Sequence, residues 1–242
     1  MKLSRSNANP LRKLCPLCEG TARAFVPQVW DEEAKYRIRN LKIPGQGLGR
    51  NEYCPACGSS SSERLLHLYL LRYTTVFTPT AAMLRVFACG ELPKLAEMIN
   101  KVSRVELTQD QMMGLFDIVI ENHSLERADD DRQTLVSLRD LLIPGGRLIL
   151  SETISPVLPA TLENDGAMTE RQRRRAFGDP LRKRVFGADL EARIREAALI
   201  PEPFDWRTDR GNFGGLGNRF ALTPGQKLMI CRRSTAEQTA PR

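Results

Sequence analysis

The 242-residue chain is 41% hydrophobic and 27% charged, which excludes a disordered or fibrous protein and leaves room for one sizeable core plus a small accessory module. Its net charge of +7 admits an anionic partner, a phosphorylated small molecule or RNA, without requiring one. Residues 1–14 are basic but lack a secretory apolar run, and no stretch approaches the roughly 20 apolar residues that span a bilayer, so the expectation is a cytoplasmic protein with no membrane partner.

After this leader come two knuckles, Cys15-Pro-Leu-Cys18 and Cys54-Pro-Ala-Cys57. A Cys-x-x-Cys turn points two sulfurs at one ion, and two such turns complete the tetrahedron of thiolates that Zn²⁺ prefers. Four thiolates leave no position for an activated water, so the expected ion is structural. A disulfide framework fits less well, because Cys89 and Cys231 sit alone in apolar runs. Residues 31–52 read as a charged, glycine-containing linker, and residues 15–58 as a small zinc-ribbon-like module.

Ser60-Ser-Ser-Glu63 has the form of a capping box, and Leu65, Leu66, Tyr69, Leu70 and Tyr73 continue at helical spacing. From residue 83 short apolar runs alternate with amphipathic segments, the pattern of an α/β domain whose largely parallel sheet is covered on both faces. Strands are expected at 83–88, 103–107, 116–120 and 147–150. A helix between the last two begins at Asp129 to Asp131 and stops at Pro144-Gly145-Gly146. Residues 155–187, rich in Pro, Arg and Gly, read as an insertion over the sheet and a candidate lid. A helix capped by Asp189 and strands at 202–206 and 227–231 close the domain, which spans 59–232, and residues 233–242 read as a disordered tail.

In a doubly wound fold a ligand sits beyond the carboxyl ends of the strands, against a glycine-bearing turn after the first, with an acidic residue further on holding a ribose. Here that turn is Ala88-Cys89-Gly90-Glu91, and the acidic residue is Glu106 or Asp110. The series Phe116-Asp-Ile-Val-Ile-Glu-Asn-His-Ser-Leu-Glu126, followed by Leu135 to Leu142 and by Ile143-Pro-Gly-Gly-Arg-Leu-Ile-Leu150, resembles the strand four to strand five region of class I S-adenosylmethionine-dependent methyltransferases. More narrowly, Cys54 to Leu66 with Phe177-Gly178, Arg184 and Gly187-Ala-Asp189 is similar to bacterial methyltransferase-like proteins that carry such a knuckle.

The resemblance implies a Rossmann-like methyltransferase sheet, preceded by the zinc module, that binds S-adenosylmethionine near Ala88, Cys89, Gly90 and Glu91. Glu106 or Asp110 would lie on the ribose or adenine, and Asn122 and His123 would lie toward the substrate. The interval from Gly90 to Phe116 is short for the family, so the sheet is expected to lack one strand. The implied activity is methyl transfer to a small molecule or sugar; the alternatives are an RNA methyltransferase or a non-catalytic relative kept for interaction.

His123 is either a general base or a strand-end packing residue, and His67, on the apolar helix, is read as structural. Glu121 and Glu126 either orient substrate or are solvated. The basic run Arg171, Arg173, Arg174, Arg175, Arg182, Lys183 and Arg184 reads first as a solvated helix face and second as a phosphate contact.

Overall fold

The structure is a computed structural model that describes residues 12–44, 52–78, 85–102, 113–164 and 166–234. The expected strand at 103–107, with Glu106 and Asp110, lies outside the described residues, as do Met83 and Leu84.

The chain begins with a two-stranded ribbon, β1 (Lys13–Leu14) and β2 (Thr21–Ala22), around the first knuckle. The segment expected to be a linker instead folds as helix α1 (Glu32–Asn40), because Asp31 accepts from the Ala34 N–H and Ala34 and Ile38 supply a buried stripe. Helix α2 (Ser61–Tyr73) opens with the expected capping box between Ser60 and Glu63.

Among the described residues five strands make the main sheet: β3 (Val86–Gly90), β4 (Phe116–Asn122), β5 (Leu142–Ser151), β8 (Leu199–Phe204) and β9 (Leu228–Arg233), in the order β3-β4-β5-β9-β8. β3, β4 and β5 run parallel, and β9 is antiparallel to both its neighbours. Strand β9 continues through Arg232 to Arg233, the first residue of the expected tail, because both pair with β8. The prolines of β8, Pro201 and Pro203, are accommodated because, among the described residues, β8 pairs on one side alone and its other edge needs no donors.

Alternation along the strands divides the core into two layers. Ile118, Ile120, Ile149 and Ile230 face Leu65, Leu66 and Leu95 of α2 and α3 (Pro93–Val102). Val119, Leu148, Leu150 and Cys231 face Leu135 and Leu138 of α4 (Asp131–Leu141) and Ile194 of α6 (Leu190–Glu196). Each such buried Leu or Ile contributes about 1.5–3 kcal/mol. Because α3 and α4 leave the sheet on opposite faces, the chain diverges between β3 and β4, which opens a crevice at their carboxyl ends.

The insertion is a packed unit. It carries β6 (Leu162–Glu163), α5 (Glu170–Phe177) and β7 (Arg184–Val185), and its Phe177 and Val185 share a small core with Ile38, Leu41 and Ile43 from the α1 region. Gly178 ends α5 in the left-handed conformation (φ 79°), and a Cβ there would come within 2.8 Å of Ile38. Among the described residues no helix is long and apolar enough to cross a membrane.

Candidate functional site

The two knuckles converge. Each is closed by local backbone bonds, Glu19 N–H to Cys15 O and Gly58 N–H to Cys54 O, with Glu19 (φ 59°) and Gly58 (φ 74°) left-handed. In the first knuckle it is Glu19, not Gly20, that turns left-handed; Gly20 is needed because a Cβ would press on Ala56 and Cys18 at 3.1 and 3.2 Å.

The four sulfurs lie within 4.8 Å of one another, with Cys15 to Cys57 at 3.7 Å and Cys18 to Cys54 at 3.8 Å. Zn–S bonds of about 2.3 Å in a tetrahedron put sulfurs about 3.8 Å apart, so the cluster fits a zinc module. Ser59 Oγ lies 3.3 Å from Cys15 Sγ and 3.2 Å from Cys57 Sγ, where a hydroxyl supports thiolate charge. The buried Arg64 joins this cluster to the rest of the molecule: its guanidinium donates to Ser59 O and Glu52 O on one side and to Phe220 O and Ala221 O on the other.

Beside the second knuckle, at the carboxyl ends of β3, β4 and β5, lies a cavity of about 950 Å³. Its wall takes Gly90, Glu91, Asn122 and His123 from the expected site, Tyr53, Ser60 and Glu63 from the knuckle and α2, Glu126 from the turn after β4, and Glu152 and Thr153 from the segment that follows β5. Of the insertion, Pro156 and Asp179 line it, so the segment read as a lid contributes a corner of wall.

Gly90 has φ 84°, and a Cβ would fall 2.1 Å from Asn122 O. The glycine thus sets the approach of β3 to β4, and the contact is locked by the Glu91 N–H to Asn122 O bond and by Asn122 Nδ2 donating to Glu91 O. Ala88 and Cys89 do not line the cavity. Ala88 packs toward α2 and α3, whereas Cys89 packs toward α4 and its thiol donates to Ile120 O. Burial pushes the Cys89 thiol up to about 12, so it stays protonated.

His123 closes β4 in a left-handed conformation (φ 61°), strained for a side chain of this size, with its N–H bonded to Ser151 O. Its Nδ1 stands 3.7 Å from Glu126 Oε2, too far for a hydrogen bond in place but close enough for strong attraction. Burial disfavours the imidazolium, yet the Glu126 carboxylate outweighs it and leaves the His123 pKa above its ordinary value. At neutral pH the ring is thus less available as a base than an unperturbed histidine.

Glu126 is buried and paired with Arg182, itself fully buried, whose Nε and Nη2 both lie 3.0 Å from Glu126 Oε1. Glu126 Oε2 accepts from the Thr153 N–H. Burial pushes the Glu126 carboxyl up, but Arg182 and His123 prevail and hold it well below the usual carboxylate range. Glu152 is the opposite case. Burial, with Glu121 and Glu126 adding to it, drives its carboxyl well above that range, and its Oε1 has no hydrogen-bond partner.

Glu152 and Arg182 were not singled out as site residues from the sequence. For Glu152 a signal existed, since it directly follows the apolar run of β5, the place where doubly wound folds bind ligands. Arg182 stood in a basic run that reads as solvated, but most of that run is engaged internally. Arg184 is buried and bonds Glu163, Arg174 and Arg175 pair with Asp31 and Glu33, and Lys183 pairs with Asp129. His67 is buried as expected, its ring 5.1 Å from Phe77.

No protein-family model matches the chain, and no curated protein matches it. Among solved structures the chain is similar to the CurJ carbon methyltransferase (18% identical over 62% of this chain and 41% of that one, TM-score 0.36). It is also similar to phosphoethanolamine N-methyltransferase 2 of Haemonchus contortus, solved with phosphomonomethylethanolamine and S-adenosylhomocysteine (8% identical, 72% and 58% covered, TM-score 0.38). A third likeness is to the cyclase SpnF (12% identical, 87% and 99% covered, TM-score 0.43). Identities at this level carry no ligand or reaction across to this chain.

Proposed function

We propose that the chain is an S-adenosylmethionine-dependent methyltransferase whose acceptor is a small polar molecule, such as a sugar, enclosed in the cavity. The observation that carries this reading is a cavity at the divergence of β3 and β4 with two buried acceptor atoms on its wall, Asn122 Oδ1 and Glu152 Oε1, that have no hydrogen-bond partner. Such acceptors suit a ligand bearing donors and positive charge, and the ammonium and sulfonium of S-adenosylmethionine provide both. The volume, at the upper end of the about 300–1,000 Å³ usual for small-ligand sites, has room for cofactor and acceptor together.

On this reading Gly90, Glu91 and Asn122 hold the cofactor, with Glu106 or Asp110 retained for its ribose. Bound S-adenosylmethionine supplies a methyl group on a sulfonium that carries its own leaving group. The protein's share is then to align the acceptor and exclude water. His123, Glu152 and Thr153 face that end of the cavity and orient the acceptor's hydroxyl or amine. A structural Zn²⁺ on Cys15, Cys18, Cys54 and Cys57 holds the knuckle that contributes Tyr53, Gly58 and Ser60 to the wall.

Calorimetric titration of zinc-loaded protein with S-adenosylmethionine tests the reading. Saturable binding, weakened at least about tenfold by Asn122→Leu, is expected; no heat at millimolar ligand would remove it.

One observation favours a second reading, binding without methyl transfer. Glu63 Oε1 accepts from the Lys94 and Leu95 N–H groups, so the start of α3 is filled by the chain's own carboxylate. Cofactor binding without turnover on any acceptor would favour it. RNA as acceptor has less support, since most of the basic run is already paired; binding that weakens steeply with salt would revive it.

A further inference from the structure

Three carboxyl groups, Glu121, Glu126 and Glu152, are buried at and just beyond the carboxyl ends of β4 and β5, and the buried Arg182 pairs with one of them, Glu126. Carboxyl groups buried this close together cannot all carry charge unless something neutralises them. The hydrogen bonds show where that something would sit. One Glu126 oxygen is held by Arg182, and the other accepts from Thr153 while still facing His123. Glu152 Oε2 accepts from the Glu126 N–H, which leaves Oε1, on a side chain 7% exposed and at the cavity wall, without a partner. His123 Nδ1 is likewise buried without a hydrogen bond.

One ligand atom from each of His123, Glu126 and Glu152 lies within 4.8 Å of the other two. Three points so placed always share a position within about 2.8 Å of all of them, against metal bonds of about 2.0–2.2 Å, so shifts of under about 1 Å would close them on an ion. We propose that His123 Nδ1, Glu126 and Glu152 Oε1 form a second metal site, which binds one first-row divalent cation on the cavity wall.

The donor set is one imidazole and two carboxylates, harder than the four thiolates and suited to Mn²⁺ or Fe²⁺ rather than to a closed zinc site. Three protein ligands on one side leave the remaining positions open to the cavity. Those positions would take a ligand presenting adjacent oxygens, such as a vicinal diol or a hydroxycarboxylate. That last step rests on the methyl-transfer reading, in which such a ligand is the acceptor. The cation site itself does not.

The test uses zinc-loaded full-length protein without S-adenosylmethionine, titrated with Mn²⁺ while the electron paramagnetic resonance signal of free Mn²⁺ is followed. One equivalent should be taken up with the zinc content unchanged. Glu152→Gln, which keeps the shape and the acceptor for the Glu126 N–H, should weaken uptake at least tenfold with an unaltered melting temperature. His123→Asn, whose side chain tolerates the left-handed backbone, should do the same. No uptake at millimolar concentrations by folded wild-type protein would overturn the site and leave a proton shared between Glu121 and Glu152 as what relieves the charge. Uptake undiminished in both variants would overturn it equally, by placing the ion elsewhere. Neither result depends on whether the cofactor binds.

Discussion

Among the described residues two clusters of side chains could hold a metal ion, one behind the knuckle that lines the cavity and one on the cavity wall itself, and they are built on opposite plans. The four cysteines come from two short turns, each closed by its own backbone hydrogen bonds, and their sulfurs already have tetrahedral spacing. His123 and Glu152 directly follow two strands and Glu126 comes from the turn after β4, under strain at His123 and with unpaired atoms at His123 and Glu152. A site that saturates its ligands serves stability; a site that leaves buried polar atoms without partners is held in place by the rest of the fold and is free to act on a ligand.

Removing one member of each cluster should break that contrast if it is false. Cys54→Ser is expected to have the largest effect. Zinc binding contributes about 10–16 kcal/mol in isolated zinc peptides, and loss of a thiolate should release the ion and loosen the knuckle that Arg64 ties to Phe220 and Ala221. Metal content and melting temperature report this, and a variant that keeps both would end the structural role.

Next is Arg182→Met, which strands the buried Glu126 carboxylate. Urea denaturation should register a loss of about 3–5 kcal/mol, largely recovered when Glu126→Gln is added. A single variant as stable as wild type would mean that Glu126 has another partner.

A smaller effect concerns acid. Burial lowers the His67 pKa from 6.5 to about 4. The unfolded chain therefore takes up this proton first, and stability should fall as pH drops from about 6.5 toward 4, by on the order of 3 kcal/mol from this residue. Comparing pH-dependent melting of wild type and His67→Leu isolates the contribution; parallel curves would refute it.

The smallest expected change in stability is that of Glu152→Gln. Burial already pushes this carboxyl toward its neutral form, which the amide matches in volume, so the melting free energy should stay within about 1 kcal/mol of wild type or rise. A large loss would move Glu152 into the class of structural residues beside the cysteines.

The two clusters also differ in how far they were legible beforehand. Cys15, Cys18, Cys54 and Cys57 could be read directly, because a knuckle is a property of four consecutive residues. So could the capping box at Ser60 and Glu63, since its bonds span three residues. Gly90, Asn122 and His123 were found through strand pattern and family resemblance, which identify a strand end but not what faces it. Cys89 and Ala88, in the same strand, turned out to pack into opposite apolar layers. Helix α1 was missed because its buried stripe is short and its partner, Phe177, is far along the chain.

What the sequence by itself determined is therefore what neighbours within about one helical turn can settle: knuckles, caps, the alternation of strands and the two-layered α/β plan. The tertiary structure alone decided that Arg182 of a basic run is buried against Glu126, that Gly90 serves strand spacing, and that Glu152 faces a cavity with an unpaired oxygen. Charge and hydrogen-bonding capacity carry no address in the sequence. Their meaning depends on burial, and burial is set by contacts between residues as distant as 126 and 182.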